Sequence, residues 1–264
     1  MSNCIKAHCE HEALFSSDYC WLHLHEQGEQ AIVEWRGITI EKAVNKKCKT
    51  CERLALFNSE FCWIHLEKQG DYAVNSWRKI VLDNKNNLQG AILVGADLSL
   101  DAYKRQGINV PNFKCTNLQI AYCVGTNLAG LNLHISHLQG CDLYEANLIS
   151  TIFDYSDLQS SFLCGVMAEG SSFNSAELQC CNIHDSKFQN AHFHDAVLDQ
   201  AQLMSSDFEG CDFSFAKMAG VDCTDANFNN ANFEQAILTE AVLHGIIKGS
   251  KVIWTFSPHI YAAA

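Results

Sequence analysis

From Leu88 to Leu243 an apolar residue stands at every fifth position without a single insertion, giving 32 consecutive units. Sixteen of these centres are Leu and nine are Phe, and the others (Tyr103, Ile108, Cys123, Ala168, Ile183, Met218, Cys223) are still apolar. Two positions before the centre the residue is Ala, Ser, Cys, Thr or Val in 27 of the units, as in Ala96-Asp97-Leu98 and Ala231-Asn232-Phe233. A period of five fits neither the 3.6 of a helix nor the 2 of a long flat strand. The pattern therefore predicts short extended segments joined by sharp turns, each unit forming one side of a coil.

A second period gives the number of sides. At steps of 20 from Leu98 the centres read Leu98, Leu118, Leu138, Leu158, Leu178, Leu198, Met218, Leu238, and from Phe113 they read Phe113, Leu133, Phe153, Phe173, Phe193, Phe213, Phe233. Like stacks on like when four units close one coil on the next. All 32 units would then make about eight coils, a rod of roughly 38 Å at the ~4.8 Å spacing of neighbouring strands. Small residues two before each centre share the narrow interior with Leu and Phe. A charge at Ala191 or Phe193 is expected to be strongly destabilising. The small-residue rule fails mainly over Asp101 to Pro111, where Asp101, Gln106 and Pro111 replace Ala or Ser. That run is read either as an irregular half-coil or as a ten-residue loop that preserves the count, with Lys104 and Arg105 as a candidate contact.

The motif Ala-(Asp/Asn)-Leu-x-x resembles the pentapeptide-repeat family over about 156 residues. The resemblance implies a mainly β fold, a right-handed quadrilateral β-helix, in which the repeat is not itself an active site.

Ahead of the repeats, Cys48-x2-Cys51-x10-Cys62-x2-His65 has the paired-ligand spacing of a structural zinc site. Residues 9 to 39 repeat at 51 to 81, matching Cys9 with Cys51, Cys20-Trp21 with Cys62-Trp63, His23 with His65 and Trp35-Arg36 with Trp77-Arg78. In the first copy the opening pair is looser, Cys4-x4-Cys9; it is read as a second site formed by Cys4, Cys9, Cys20 and His23, with His8 or His11 as alternatives to one thiolate. Each knuckle is followed by an apolar-periodic stretch (Ala73, Val74, Trp77, Ile80, Val81 in the second copy) that predicts a helix of about 15 residues. Four protein ligands leave no position open for water, so two structural zinc ions are expected. The expected organisation is one zinc module over 1–44, a second over 45–87, the β-helix over 88–247, and a C-terminal cap or dimerisation segment over 248–264. The zinc modules would close the N-terminal end of the solenoid, whose first coil would otherwise expose apolar side chains and unpaired backbone.

Charge separates these parts. Residues 1 to 89 carry 12 acidic and 11 basic side chains, whereas residues 90 to 247 carry 18 acidic against 5 basic. A near-neutral N-terminal segment lacks the basic excess that phosphate neutralisation needs, so nucleic-acid binding through the zinc modules is the weakest of three readings. The first is a protein-binding scaffold. The second is a DNA mimic, because the resemblance extends to quinolone-resistance members that occupy the DNA-binding saddle of DNA gyrase, a type II topoisomerase, and an acidic rod competes for a basic groove. Outward acids Asp207, Asp212, Asp222 and Asp225 are candidate contacts. Two departures stand against the second reading. The repeat is uninterrupted after residue 111, and the zinc modules have no counterpart in the gyrase-binding members.

No nucleophile elbow, phosphate-cradling loop or metalloprotease helix occurs, so no enzyme is expected. His134, His137, His184, His192 and His194 flank centres and should point outward. Cys180-Cys181 reads as one outer and one inner thiol, and Cys115, Cys123, Cys141, Cys164, Cys211 and Cys223 mostly as small core fillers. Fourteen Cys that suit zinc or a core fit a reducing compartment, and the polar, Cys-containing start is unlike a secretory signal, so the expected address is the cytoplasm with no membrane. The apolar tail Val252 to Phe256 would cover the last coil, either in its own chain or in a second copy placed end to end as a homodimer.

Overall fold

The computed structural model describes residues 47–51, 55–109, 111–244 and 253–254. Among the described residues two helices come first, α1 (Trp63–Glu67) and α2 (Asp71–Asp83), then a 3-10 turn at Lys85–Asn87 and a third short helix, α3 (Leu100–Lys104). The rest is solenoid. From Asn117↔His137 to Asp222↔Val242, single parallel bridges join outward residues 20 apart. Each bridge residue lies between a small residue and its centre, so both of those neighbours face inward, as the alternation of an extended segment requires.

Backbone groups are satisfied between coils and at the corners. Leu138 N donates to Asp157 O at 2.7 Å, Asp157 N donates to Ser136 O at 3.0 Å, and Cys141 N closes the turn on Leu138 O at 2.9 Å. Every corner places its last residue in the left-handed region. Asn190 (φ 59), Asp195 (φ 56) and Gly210 (φ 70) are examples. Asp and Asn at bridge positions brace these turns by accepting from the backbone N–H two residues on, as Asp157 does from Gln159 N at 3.1 Å.

Inside, two columns of rings run along the axis. Phe153, Phe173, Phe193, Phe213 and Phe233 stack at 4.8 to 5.1 Å with interplanar angles of 4 to 12°. Phe188, Phe208 and Phe228 form a second column at 5.3 Å. Buried hydroxyls and thiols at the small positions donate across to the coil below: Ser156 Oγ to Leu133 O at 2.7 Å, Cys181 Sγ to Leu158 O at 3.0 Å and Cys211 Sγ to Phe188 O at 2.9 Å. This removes the cost of burying them unpaired.

The run 101–111 is resolved as an insertion. The first bridges, Ile92↔Tyr122 and Asp97↔Asn127, are thirty residues apart. Leu88, Leu93 and Leu98 supply three sides of the first coil, α3 leaves the corner after Leu98, and Phe113 supplies the fourth side. Asp97 Oδ1 accepts from Ser99 N and Oγ, Ser99 caps α3 through Ala102 N at 3.3 Å, and Gly107 (φ 80) follows its end. Ten residues are two units, so the five-residue count survives while the column assignment shifts by half a coil. Leu98 therefore stacks under Leu128 and not Leu118, and Tyr103 and Ile108 are not coil centres. The coils number seven and a half, with the units from Phe113 to Leu243 uninterrupted. A second correction concerns Cys115. It is an exposed turn residue (φ 56), not a core filler.

At the other end, β1 (Asn232–Phe233) pairs in parallel with β2 (Ile253–Trp254), in the register Asn232↔Ile253 and Phe233↔Trp254. One side of the last coil is thus extended by the C-terminal chain. The ligands expected at Cys4, Cys9, Cys20 and His23, and the remainder of 248–264, lie outside the described residues. No helix among the described residues is long and apolar enough to cross a membrane.

Candidate metal centre

Cys48 and Cys51 stand on one turn, closed by Cys51 N donating to Cys48 O at 3.4 Å, while Cys62 precedes α1 and His65 lies one turn inside it. Glu60 O accepts from Lys49 N at 2.9 Å and ties the two knuckles together. Their donor atoms converge to within 4.8 Å of one another. Cys51 Sγ and Cys62 Sγ are 3.8 Å apart, and His65 Nδ1 is 3.4 Å from Cys48 Sγ and 3.3 Å from Cys62 Sγ. A tetrahedral zinc with bonds of about 2.3 Å to sulfur and 2.0–2.1 Å to nitrogen separates its ligands by about 3.5–3.8 Å. The four residues fit that ion in number, chemistry and spacing. Burial, then contacts with Cys51 and Cys48, push the Cys62 thiol up. Burial also acts to raise Cys48, but hydrogen bonds from Thr50 and the Cys62 backbone outweigh it and bring that thiol to about 5. A bound cation would stabilise all three sulfurs as thiolates.

The centre is linked to the solenoid through two tryptophans and an arginine. Trp63, next to the candidate ligand Cys62, packs edge-on against Trp77 of α2 at 5.8 Å, and the Arg78 guanidinium lies 5.5 Å from the Trp63 ring centroid. Trp77 Nε1 donates to Phe57 O at 2.8 Å, and Phe57 N donates to Ile92 O of the first coil at 2.8 Å. Arg78 Nε donates to Asp97 O at 2.7 Å and Nη2 to Asp97 Oδ2 at 3.2 Å. Tyr103 OH donates to Arg78 O at 3.1 Å, so the insertion closes over the same helix. Leu56, Leu66, Val74, Trp77 and Val81 join one apolar core with Leu88, Leu93 and Leu98. Residues 55–83 cover the open end of the first coil; the first module, expected to share that role, lies outside the described residues. Asp97 as the hub was missed in the sequence, where it is one of many Ala-Asp-Leu units.

Other candidate contacts are dispersed. Lys104 pairs with Asp101 at 3.7 Å, and Arg105 turns back to Asp97 at 3.1 Å. Asp207 accepts from Glu209 N and Asn227 Nδ2, Asp212 from Ser214 N and Asn232 Nδ2, and Asp222 from Thr224 N and Oγ1. These three brace turns on three different sides of the coil, and only Asp225, in a turn (φ 58), is fully exposed. His134, His137, His184, His192 and His194 all lie at the surface or half-exposed. Among the described residues, the Cys48 group is the one His/Cys/Asp/Glu cluster with metal-ligand spacing.

The pentapeptide-repeat family model matches residues 112–148, 121–167, 176–214 and 206–245. The repeats over residues 112–167 and 176–245 are thus pentapeptide repeats, stacked here as a parallel β-solenoid. Similar solved structures include HetL, a pentapeptide repeat protein involved in heterocyst differentiation regulation in the cyanobacterium Nostoc sp. strain PCC 7120, at 20% identity over 66% of this chain and 96% of HetL, TM-score 0.32. A pentapeptide repeat protein of the Arabidopsis thaliana thylakoid lumen is 29% identical over 33% of this chain and 60% of its own, TM-score 0.25. QnrB1, a plasmid-mediated fluoroquinolone resistance protein, is 15% identical over 63% of this chain and 86% of its own, TM-score 0.32. No curated protein matches the chain.

Proposed function

We propose that this is a non-catalytic scaffold whose acidic solenoid binds a protein partner, with a zinc-held module closing its N-terminal end. One observation carries the reading: over residues 116–244 the solenoid bears 16 acidic side chains and only two cations, Lys187 and Lys217. Its inward positions are filled by Leu, Phe and small residues, so its chemistry lies on the outside. The sum of these charges on a narrow rod favours encounter with a basic surface and repels nucleic acid. A second reading rests on the same charge: the rod imitates DNA and occupies the groove of a DNA-binding protein, for which a type II topoisomerase such as DNA gyrase is the candidate.

Affinity capture from a lysate of the source organism tests both, with the wild type beside a variant carrying Asp207→Asn, Asp212→Asn, Asp222→Asn and Asp225→Asn. Asn is itself common at these positions, so the variant keeps the turns. Recovery of a topoisomerase or another DNA-binding protein by the wild type alone supports mimicry. An unrelated partner held equally by both chains supports a scaffold that binds elsewhere on the rod. No partner for either chain contradicts both readings.

A further inference from the structure

Each corner of the solenoid places one residue in the left-handed region, where side chains other than Gly, Asn and Asp are disfavoured. From residue 114 onward, three of the four corners use glycine repeatedly: Gly125 and Gly165, Gly130, Gly170 and Gly210, and Gly140 and Gly220. The fourth never does. Its column reads Cys115, Ile135, Tyr155, Ser175, Asp195, Phe215, Gln235, all with φ between 53 and 61°. Three of these are large, apolar and exposed: Tyr155 at 62%, Ile135 at 46% and Phe215 at 42%. A β-branched or aromatic residue here is unfavourable twice, in its backbone and in its exposed apolar surface, and neither cost is needed to turn the chain. Such strain persists where it serves a use.

Two histidines hold the rings in place. His134 packs edge-on against Tyr155, and His194 against Phe215, each at 5.3 Å. His194 Nδ1 is in turn 2.8 Å from Ser214 Oγ. The result is a ridge of five rungs from Ile135 to Phe215, about 19 Å long at the ~4.8 Å strand spacing, in which Ile135 adjoins Tyr155 while Ser175, donating to Asp195 at 3.2 Å, separates Tyr155 from Phe215. Carboxylates stand on both sides, with Asp154 and Asp212 on one face and Asp157 and Glu177 on the next, where Lys217 lies two residues from Phe215.

We infer that this corner is the docking ridge of the scaffold, and that its occupant is a partner protein presenting an apolar groove between banks of Lys or Arg. The inference rests on the scaffold reading above and names its surface. The convex apolar rungs Ile135, Tyr155 and Phe215 fit a concave apolar groove, and Asp195 together with the carboxylates beside it selects cationic walls. A second copy of this chain would set like charges against one another.

Site-specific photocross-linking tests the ridge. One full-length chain carries Tyr155→p-benzoylphenylalanine, and another carries Ser205→p-benzoylphenylalanine on the diagonally opposite corner. Both are irradiated in a lysate of the source organism. A third chain adds Ile135→Gly and Phe215→Gly to the first, removing side chains while relieving the left-handed backbone, so its Tm should be no lower. The expected result is a cross-link to another protein at 155 and not at 205. It should weaken with salt and fall at least tenfold in the Gly chain. Cross-links at 205 alone, or at 155 unchanged by the Gly substitutions, overturn the ridge and leave the scaffold standing. Products containing only this chain overturn the proposed occupant, and no product at either position overturns ridge and scaffold together.

Discussion

Arg78 of α2 and Asp97 of the first coil are joined twice, once through the backbone oxygen at 2.7 Å and once through the carboxylate at 3.2 Å. The arginine side chain is almost fully buried, at 8% exposure, and the carboxylate also receives Arg105. Burial alone would lower the guanidinium pKa, and Asp97 opposes that. Losing one member of such a pair leaves the other desolvated.

Arg78→Ala should therefore destabilise the N-terminal half by about 3 kcal/mol. Arg78→Lys should recover little, because an ammonium cannot reach the backbone oxygen and the carboxylate with one planar fork. Denaturant unfolding followed by the fluorescence of Trp63 and Trp77 reads this change. A loss below about 0.5 kcal/mol, the size expected of a surface substitution, would mean the staple carries nothing.

Phe193 lies between Phe173 at 5.1 Å and Phe213 at 4.8 Å and is fully buried. Phe193→Ala should cost about 3–5 kcal/mol through the cavity it leaves. Ala191→Asp places a charge in the same interior and should prevent folding of the surrounding coils. Circular dichroism during thermal unfolding would show both.

Alkaline pH should loosen the rod. Burial pushes the Cys181 thiol up to about 12, and burial also raises Cys211 and Cys223. A thiol raised in the folded state is protonated there while the unfolded chain ionises from about pH 9, so the unfolded state binds fewer protons and stability falls as pH rises. The loss should begin near pH 9 and continue toward 12, at up to about 1.4 kcal/mol per pH unit for each such thiol. Cys181→Ala should make the decline shallower, as measured by urea midpoints between pH 8 and 11.

The five-residue ladder was legible because its cause is local: a small residue and a large one two apart, repeated, leave an extended segment with both facing inward. Leu93, Leu98 and the centres from Leu118 onward obey it, apart from Leu133, which has Leu131 two before it. The insertion was half legible, since Asp101, Gln106 and Pro111 mark it while Tyr103 and Ile108 keep the count and conceal it. Tyr103 is fully buried for another reason, as a plug hydrogen-bonded to Arg78 and packed 5.5 Å from the Phe113 ring centroid. The convergence of Cys48, Cys51, Cys62 and His65 was legible from spacing, because Cys-x2-Cys and Cys-x2-His each put two potential donors on one turn. What spacing could not show was the docking of α2. It depends on Arg78 and Asp97 meeting across 19 residues, with no local signal at either. The ridge at Ile135, Tyr155 and Phe215 was also hidden. Turn positions became recognisable as left-handed only once the backbone was placed, and glycine's absence from one corner has meaning only when the columns are known.

Hydrogen exchange on the full chain, with zinc present and after chelation, tests most directly whether a metal-held module caps the solenoid. Chelation should expose the amides of Phe57, Trp77 and Leu93, and with them the first coil at Leu98. The amides of Phe193 and Phe213, which follow Phe113 in the same column of the 20-residue coils and lie well beyond the first coil, should keep their protection. Zinc measured on the same sample should fall from about two ions per chain to none. Unchanged protection over 47–98 in a chain shown to have lost its metal would contradict the cap, and so would a chain that never held zinc and is protected there all the same.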